Sequence, residues 1–137
     1  MATSRRDVVY LTADDILTLN RWWIQDYGGF QPGAGVPRDR DRLDYLIEAV
    51  ESDVFGQELH PSLEAKAAAY AFYIIRGHIF IDGNKRTGMS CALRLLERNG
   101  CALKSLSQDE IVDVAMAVAD RTMTLDDVTR WLQSRLE

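Results

Sequence analysis

The sequence predicts an all-α bundle of about six helices, with at most a short β segment near the N-terminus. Three observations predict it. Apolar residues recur at three-to-four spacing along most of the 137-residue chain, helix-start signals of the form Ser/Thr-x-x-Asp/Glu precede several of those stretches, and glycine and proline crowd into one connector. No repeat, low-complexity tract or linker divides the chain, so residues 1–137 read as one domain, long enough to bury a core without disulfides.

Val8-Val9-Tyr10-Leu11 is short and β-prone, and either pairs as an edge strand or simply leads into the first helix. Thr12-x-x-Asp15 reads as a capping-box variant, and Ile16, Leu19, Trp23 and Tyr27 follow at helical spacing, so the first helix is expected over about 13–27. Gly28, Gly29, Pro32, Gly33, Gly35 and Pro37 make the next stretch a loop. Asp39-Arg40-Asp41-Arg42 is a solvated helix start, and Leu43, Leu46, Ile47 and Val50 define the second helix. Ser52 to Pro61 reads as irregular. Pro61-Ser62 opens a third helix, alanine-rich through Tyr73 and therefore suited to close packing at the centre of the bundle. A fourth pattern runs from Asn84 to Asn99, with Ala92, Leu95 and Leu96 inward and Arg94, Glu97 and Arg98 outward, and Gly100 closes it. Ser107-x-x-Glu110 reads as a full capping box before a fifth helix carrying Ile111, Val114, Ala115 and Val118 on one face. Thr124-x-x-Asp127 opens the sixth, with Val128, Trp131, Leu132 and Leu136 on its apolar stripe.

Composition narrows the function. Hydrophobic residues make up 47% and charged ones 27%, and the formal net charge is −5, which suits a folded domain and disfavours direct binding to nucleic acid, where phosphate neutralisation needs a basic face. Cys91 and Cys101 are the only cysteines and suggest no disulfide framework, so a reducing cytoplasm is expected. No membrane association is expected either: there is no basic-then-apolar leader, and Ala67 to Ile75 is about half of the ~20 residues needed to cross a bilayer. His60 and His78, the only histidines, are too few for a zinc site without several carboxylates.

The chemistry gathers in residues 78–88, His78-Ile79-Phe80-Ile81-Asp82-Gly83-Asn84-Lys85-Arg86-Thr87-Gly88, at the joint between the third and fourth helices. Lys85 and Arg86 fall in the first turn of the fourth helix, where the macrodipole disfavours cations by a few tenths to ~1 kcal/mol each. An anion there would reverse that sign, because free backbone N–H groups and two basic side chains together cradle a phosphate. Gly83 allows a tight turn and close approach of the backbone to a ligand. Asp82 is a hard oxygen ligand suited to Mg²⁺ bridging two phosphates, and the imidazole of His78 is the candidate general base. Phe80 and Ile81 read as apolar anchors. Each residue alone has an ordinary structural role: Asp82 as a helix cap, Arg76 as a cation at a helix C-terminus. Their combination at this spacing points to a site.

The stretch resembles the signature of the Fic/Doc superfamily, His-x-Phe-x-Asp/Glu-Gly-Asn-Gly/Lys-Arg, and Lys85 is similar to the Doc (death on curing) branch. Tyr27-Gly28-Gly29, Arg76-Gly77-His78, Asn84-Lys85-Arg86-Thr87 and Arg98-Asn99-Gly100 extend the likeness over nearly the whole chain. The resemblance implies a Fic/Doc-like helical bundle and a toxin of a toxin-antitoxin pair that moves a phosphorus group from ATP to a protein hydroxyl. It implies His78 as the base, Asp82 as the Mg²⁺ ligand, Asn84, Lys85 and Arg86 with Gly83 around the phosphates, and Arg76 near enough in sequence to join them. It also implies that residues around Val54-Phe55-Gly56 form a flap that aligns the target chain.

Typical Fic proteins carry Gly where Lys85 stands and transfer AMP; with Lys85, the Doc precedent implies transfer of the γ-phosphate, that is, a protein kinase of Fic fold. Met89 replaces the second arginine common in AMP-transferring motifs, whereas Gly83 is shared with them. The implied target is elongation factor Tu. No Ser or Thr is followed four residues later by Glu, so the self-inhibitory motif of many Fic proteins is absent and a separate Phd-like antitoxin is expected. AMP transfer and a catalytically idle binding module stand as the alternatives.

Overall fold

The fold is known from a computed structural model, which describes residues 8–54 and 57–137. Among the described residues there are six α-helices: α1 (Ala13–Tyr27), α2 (Arg40–Glu51), α3 (Leu63–Gly77), α4 (Asn84–Arg98), α5 (Gln108–Ala119) and α6 (Leu125–Ser134). The all-α expectation holds, and the helix bounds follow the caps. Thr12 and Thr124 each accept from the backbone N–H three residues on, with Asp15 and Asp127 returning the bond, so two complete capping boxes fix the starts of α1 and α6.

α3 is the centre. Ala65 to Ala71, together with Leu63, Ile74 and Ile75, are buried, and the helix packs against α2, α4, α5 and α6. A helix apolar on all sides needs neighbours on all sides, and small residues let them come close. The approach to α4 is close at Gly88, where a Cβ would lie 2.9 Å from Ile75 Cγ1 and 3.0 Å from the Ala71 carbonyl oxygen. α1 packs on α4 and α2.

Several expectations change. Val8 to Leu11 forms no strand among the described residues; instead the side-chain amide of Asn99 receives the Val9 N–H at 2.8 Å and donates to the Val9 carbonyl at 3.0 Å. The strands lie elsewhere. Asp53–Val54 (β1) pairs antiparallel with Gln57–Glu58 (β2) inside the stretch expected to be irregular, with Asp53 opposite Glu58 and Val54 opposite Gln57. Phe55 and Gly56, the tip of the implied flap, lie outside the described residues.

The buried stripe of α1 is Ile16, Asn20 and Ile24, rotated from the expected Ile16, Leu19, Trp23 and Tyr27; Tyr27 is 57% exposed. Arg98, expected to face outward, is drawn under the N-terminal segment by Asp15 at 2.8 Å. Only half of the Ser107 capping box forms. Ser107 accepts from the Glu110 N–H at 3.1 Å, but the Glu110 carboxylate is taken by Trp131 Nε1 at 2.7 Å and Arg135 Nε at 2.6 Å on α6.

Candidate active site

The end of α3 places the imidazole. His78 caps the helix in the left-handed conformation, φ 46° and ψ 55°, a geometry that costs a residue with a Cβ about 1–2 kcal/mol. The turn buries Ile79 and Phe80 in the core and leaves His78 exposed. Phe80 is then clasped by Asn84, whose side chain accepts the Phe80 N–H at 2.9 Å and donates to the Phe80 carbonyl at 2.8 Å. That two-bond ring closes the loop between α3 and α4. The amide of Asn84 is thus engaged with the loop, and what it offers a ligand is its backbone N–H at the helix start.

Gly83 stands immediately before α4 with φ 79°. A Cβ there would meet Ile24 Cδ1 at 3.0 Å and Asn20 Nδ2 at 3.2 Å, so the backbone angle calls for glycine and the tight packing favours it. The start of α4 has no side-chain cap and no acid in its first turn, whereas α1, α2, α3, α5 and α6 have both. The first N–H groups of α4 have no acceptor within the helix. Lys85 and Arg86, both exposed, add two positive charges at that positive end. Arg86 is spread over two aromatic faces, its guanidinium carbon 5.6 Å from the ring centroids of both Trp23 and Tyr27. Those contacts hold a cation where the helix dipole repels it.

Asp82 is fixed by α1 and by the connector that follows it. Its carbonyl accepts from Asn20 Nδ2 at 3.0 Å, and one carboxylate oxygen accepts the Phe30 N–H at 2.8 Å. The connector is therefore a wall of the site, tied in again where Arg38 N–H donates to the Ile79 carbonyl at 2.8 Å. His78, Asp82, Gly83, Asn84, Lys85 and Arg86 all line one cleft of about 410 Å³, with Gly28 and Gly29 on the facing side. Arg76 does not line it: it stacks over Phe72 at 5.0 Å, one helical turn back on α3.

Asn20, which the sequence reading passed over, supports all of this. It is fully buried, donates to Thr87 Oγ1 at 3.1 Å as well as to Asp82, and accepts the Gly35 N–H at 2.9 Å. The signal was present as a polar residue four positions from Ile16 and four from Ile24, on what becomes the buried stripe of α1.

The donor set suits a magnesium-bound polyphosphate. Among the described residues no group of three or more His, Cys, Asp or Glu side chains converges as a metal cage. Mg²⁺ is commonly held by one or two carboxylates plus substrate phosphates, and Asp82 beside an uncapped helix start and two cations matches that pattern.

The match to known proteins agrees with the geometry. The family model described as the Fic/DOC family matches residues 10–96. The chain belongs to the Fic/DOC family. The chain is similar to the protein kinase doc of Escherichia phage P1, 30% identical over 124 residues that cover 90% of this chain and 93% of that one. It is also similar to the toxin Doc of Mycolicibacterium smegmatis, 32% identical over 121 residues and 87% of both chains. These relatives put it on the Doc branch of the Fic/DOC family. The Fic/DOC match encloses the whole cleft except Ala119, which reaches it from α5. No helix of the described residues is long and apolar enough to cross a membrane.

Proposed function

We propose that this Fic/DOC protein is a toxin that transfers the γ-phosphate of ATP to a Ser or Thr hydroxyl of a protein, elongation factor Tu being the target that the family resemblance implies, and so arrests translation. The observation that carries the reading is the start of α4: no cap, no first-turn acid, and Lys85 and Arg86 beside a carboxylate and an exposed imidazole. Alone, uncapped N–H groups and two cations at that positive end are costly; the phosphate oxygens of a bound nucleotide would give both a partner. The two relatives, one a protein kinase and one a toxin by name, support the same reading.

His78 would take the proton as the target oxygen bonds to the γ-phosphorus and the bridging oxygen leaves with ADP. The backbone N–H groups of the first turn of α4, with Lys85 and Arg86, would hold the phosphate oxygens. Asp82 would hold Mg²⁺, which when bound neutralises phosphate charge. Little covalent chemistry is asked of the protein in phosphoryl transfer, so positioning and charge do most of it.

ATP labelled separately at the α and γ positions tests the reaction. Label from γ on elongation factor Tu supports it; label from α instead would make the enzyme an AMP transferase, the reading that Gly83 shares; no label would leave a binding module. His78→Ala is expected to lose about 10²–10⁴-fold in transfer while still binding Mg-ATP. The implied partner is a Phd-like antitoxin, since the chain has no inhibitory motif of its own. A small protein encoded next to this one should relieve the growth arrest when co-expressed, and failure to do so counts against the toxin reading.

A further inference from the structure

A lysine lies in the core with its charge. Lys66 is 1% exposed, on the central helix, among alanines. Burying an ammonium costs several kcal/mol even after relaxation, and an apolar side chain of similar volume generally serves stability as well or better. The fold alone gives no reason for it, so its partners matter. Nζ donates to the carbonyl of His60 and lies 3.5 Å from Glu58 Oε2. Both belong to the short segment that runs from β2 into the start of α3.

The same segment is fastened a second time. The His60 ring, itself buried, shares a hydrogen bond of 3.0 Å with the Tyr73 hydroxyl. Burial pushes the His60 imidazole below its ordinary range and the Lys66 charge adds to that, both favouring the neutral ring. Lys66 and Tyr73 are two turns apart on α3, hence on one face of it. α3 is also the helix that ends in His78. At its other end the hairpin closes on itself, Leu59 N–H donating to the Ser52 carbonyl at 2.9 Å. One rigid helix thus carries both the fastenings of the β1–β2 hairpin and the imidazole.

We propose that Lys66 is a positioning residue: its buried ammonium, gripping Glu58 and the His60 carbonyl, holds the β1–β2 hairpin at a set place along α3 and so sets where a target polypeptide lies relative to His78. The second half rests on the reading of this cleft as a protein-modifying site. An extended peptide adds readily to a short exposed ladder, but its hydroxyl reaches the imidazole only if the ladder is held still. Lys66 acts through the hairpin and touches neither nucleotide nor target.

Two variants and two readouts test this. Lys66→Met keeps the length and apolar fit; Glu58→Gln removes the ion pair and keeps the bond to His60. In hydrogen exchange, the amides of Gln57, Glu58 and Leu59 are expected to exchange at least about tenfold faster in Lys66→Met, a loss of about 1.4 kcal/mol of local protection, and less so in Glu58→Gln, with α4 amides unchanged in both. With elongation factor Tu and ATP, Lys66→Met should raise KM for the protein about tenfold, leaving KM for ATP and kcat at saturating protein unchanged. Exchange that stays at the wild-type rate in the hairpin, or that rises equally in α4, overturns the latch. A fall in kcat with KM for the protein unchanged overturns its role in target placement. If the wild type transfers nothing, the proposed function fails, and the exchange measurement still decides whether Lys66 holds the hairpin.

Discussion

Asn20→Ala removes a side chain that ties α1, the connector and the motif loop together. Three hydrogen bonds of 2.9–3.1 Å go with it, to Gly35 N–H, Asp82 C=O and Thr87 Oγ1. They do not weigh equally. The Gly35 N–H is in a buried residue and is left without an acceptor, which costs about 1–3 kcal/mol; the Thr87 hydroxyl can rotate and the Asp82 carbonyl borders the open cleft, so each loses about 0.5–1.5 kcal/mol. We predict a total of about 4 kcal/mol, or on the order of 10 °C in Tm for a chain of this size. Urea unfolding should show the midpoint falling at unchanged m, and calorimetric titration should show Mg-ATP affinity falling about tenfold as the Asp82 backbone is released. Asn20→Leu separates bonding from packing, since it fills the same space with no polar atom and should be as unstable as the alanine variant. If Asn20→Leu is as stable as the wild type, or Asn20→Ala loses under about 1 kcal/mol, the reasoning from hydrogen bonds is refuted.

Lys85→Gln is expected to do two opposite things: raise stability by a few tenths to ~1 kcal/mol by relieving the α4 N-terminus, and weaken Mg-ATP binding about tenfold or more; a drop in both, in parallel urea and titration experiments, would mean the lysine is structural. Gly83→Ala should cost about 1–2 kcal/mol, from the left-handed backbone and the approach to Ile24 and Asn20, read as a lower urea midpoint; an unchanged midpoint would show that the turn relaxes freely. The hydrogen bond from Arg98 brings the Asp15 carboxyl down from 3.8 to about 2. Its folded value is depressed, so the contribution is present above pH ~3.8 and is lost as pH falls through about 2; for a pair whose side chains are 26% and 30% exposed it is on the order of 1 kcal/mol at most. Arg98→Met should therefore lower stability at pH 5 and flatten its further fall toward pH 2; equal slopes for the two proteins would refute the pairing.

Much of the bundle was legible because its signals are local. Thr12 to Asp15 and Thr124 to Asp127 are caps closed within one turn, and the spacing of Leu43, Leu46 and Val50 marks a buried face that the structure keeps. What failed to show had distant causes. Glu110 looked like half of a cap until Trp131 and Arg135 competed for it across 21 and 25 residues. Arg98 looked solvent-facing because nothing near it in sequence announces Asp15. Two-residue strands are too short for alternation to register, so β1 and β2 were invisible. Lys66 stands next to the apolar run Ala67 to Ile75, and its burial depends on a hairpin that no periodicity reveals.

The candidate site divides the same way. His78, Asp82, Gly83, Lys85 and Arg86 fall within one short stretch of chain, so a single helix-loop-helix joint brings them to one cleft; the chemistry proposed for them rests on residue type and spacing. The three-dimensional fold decided what holds them there. Asn20 and Phe30 reach Asp82 across 62 and 52 residues, and Trp23 and Tyr27 on α1 steady Arg86 on α4. The same packing turned Arg76 to Phe72 and away from the cleft. A backbone repeat of three to four residues can specify its own turn and face, but partners drawn from separate helices meet only after the core has packed, and which polar groups then find each other is a property of that packing.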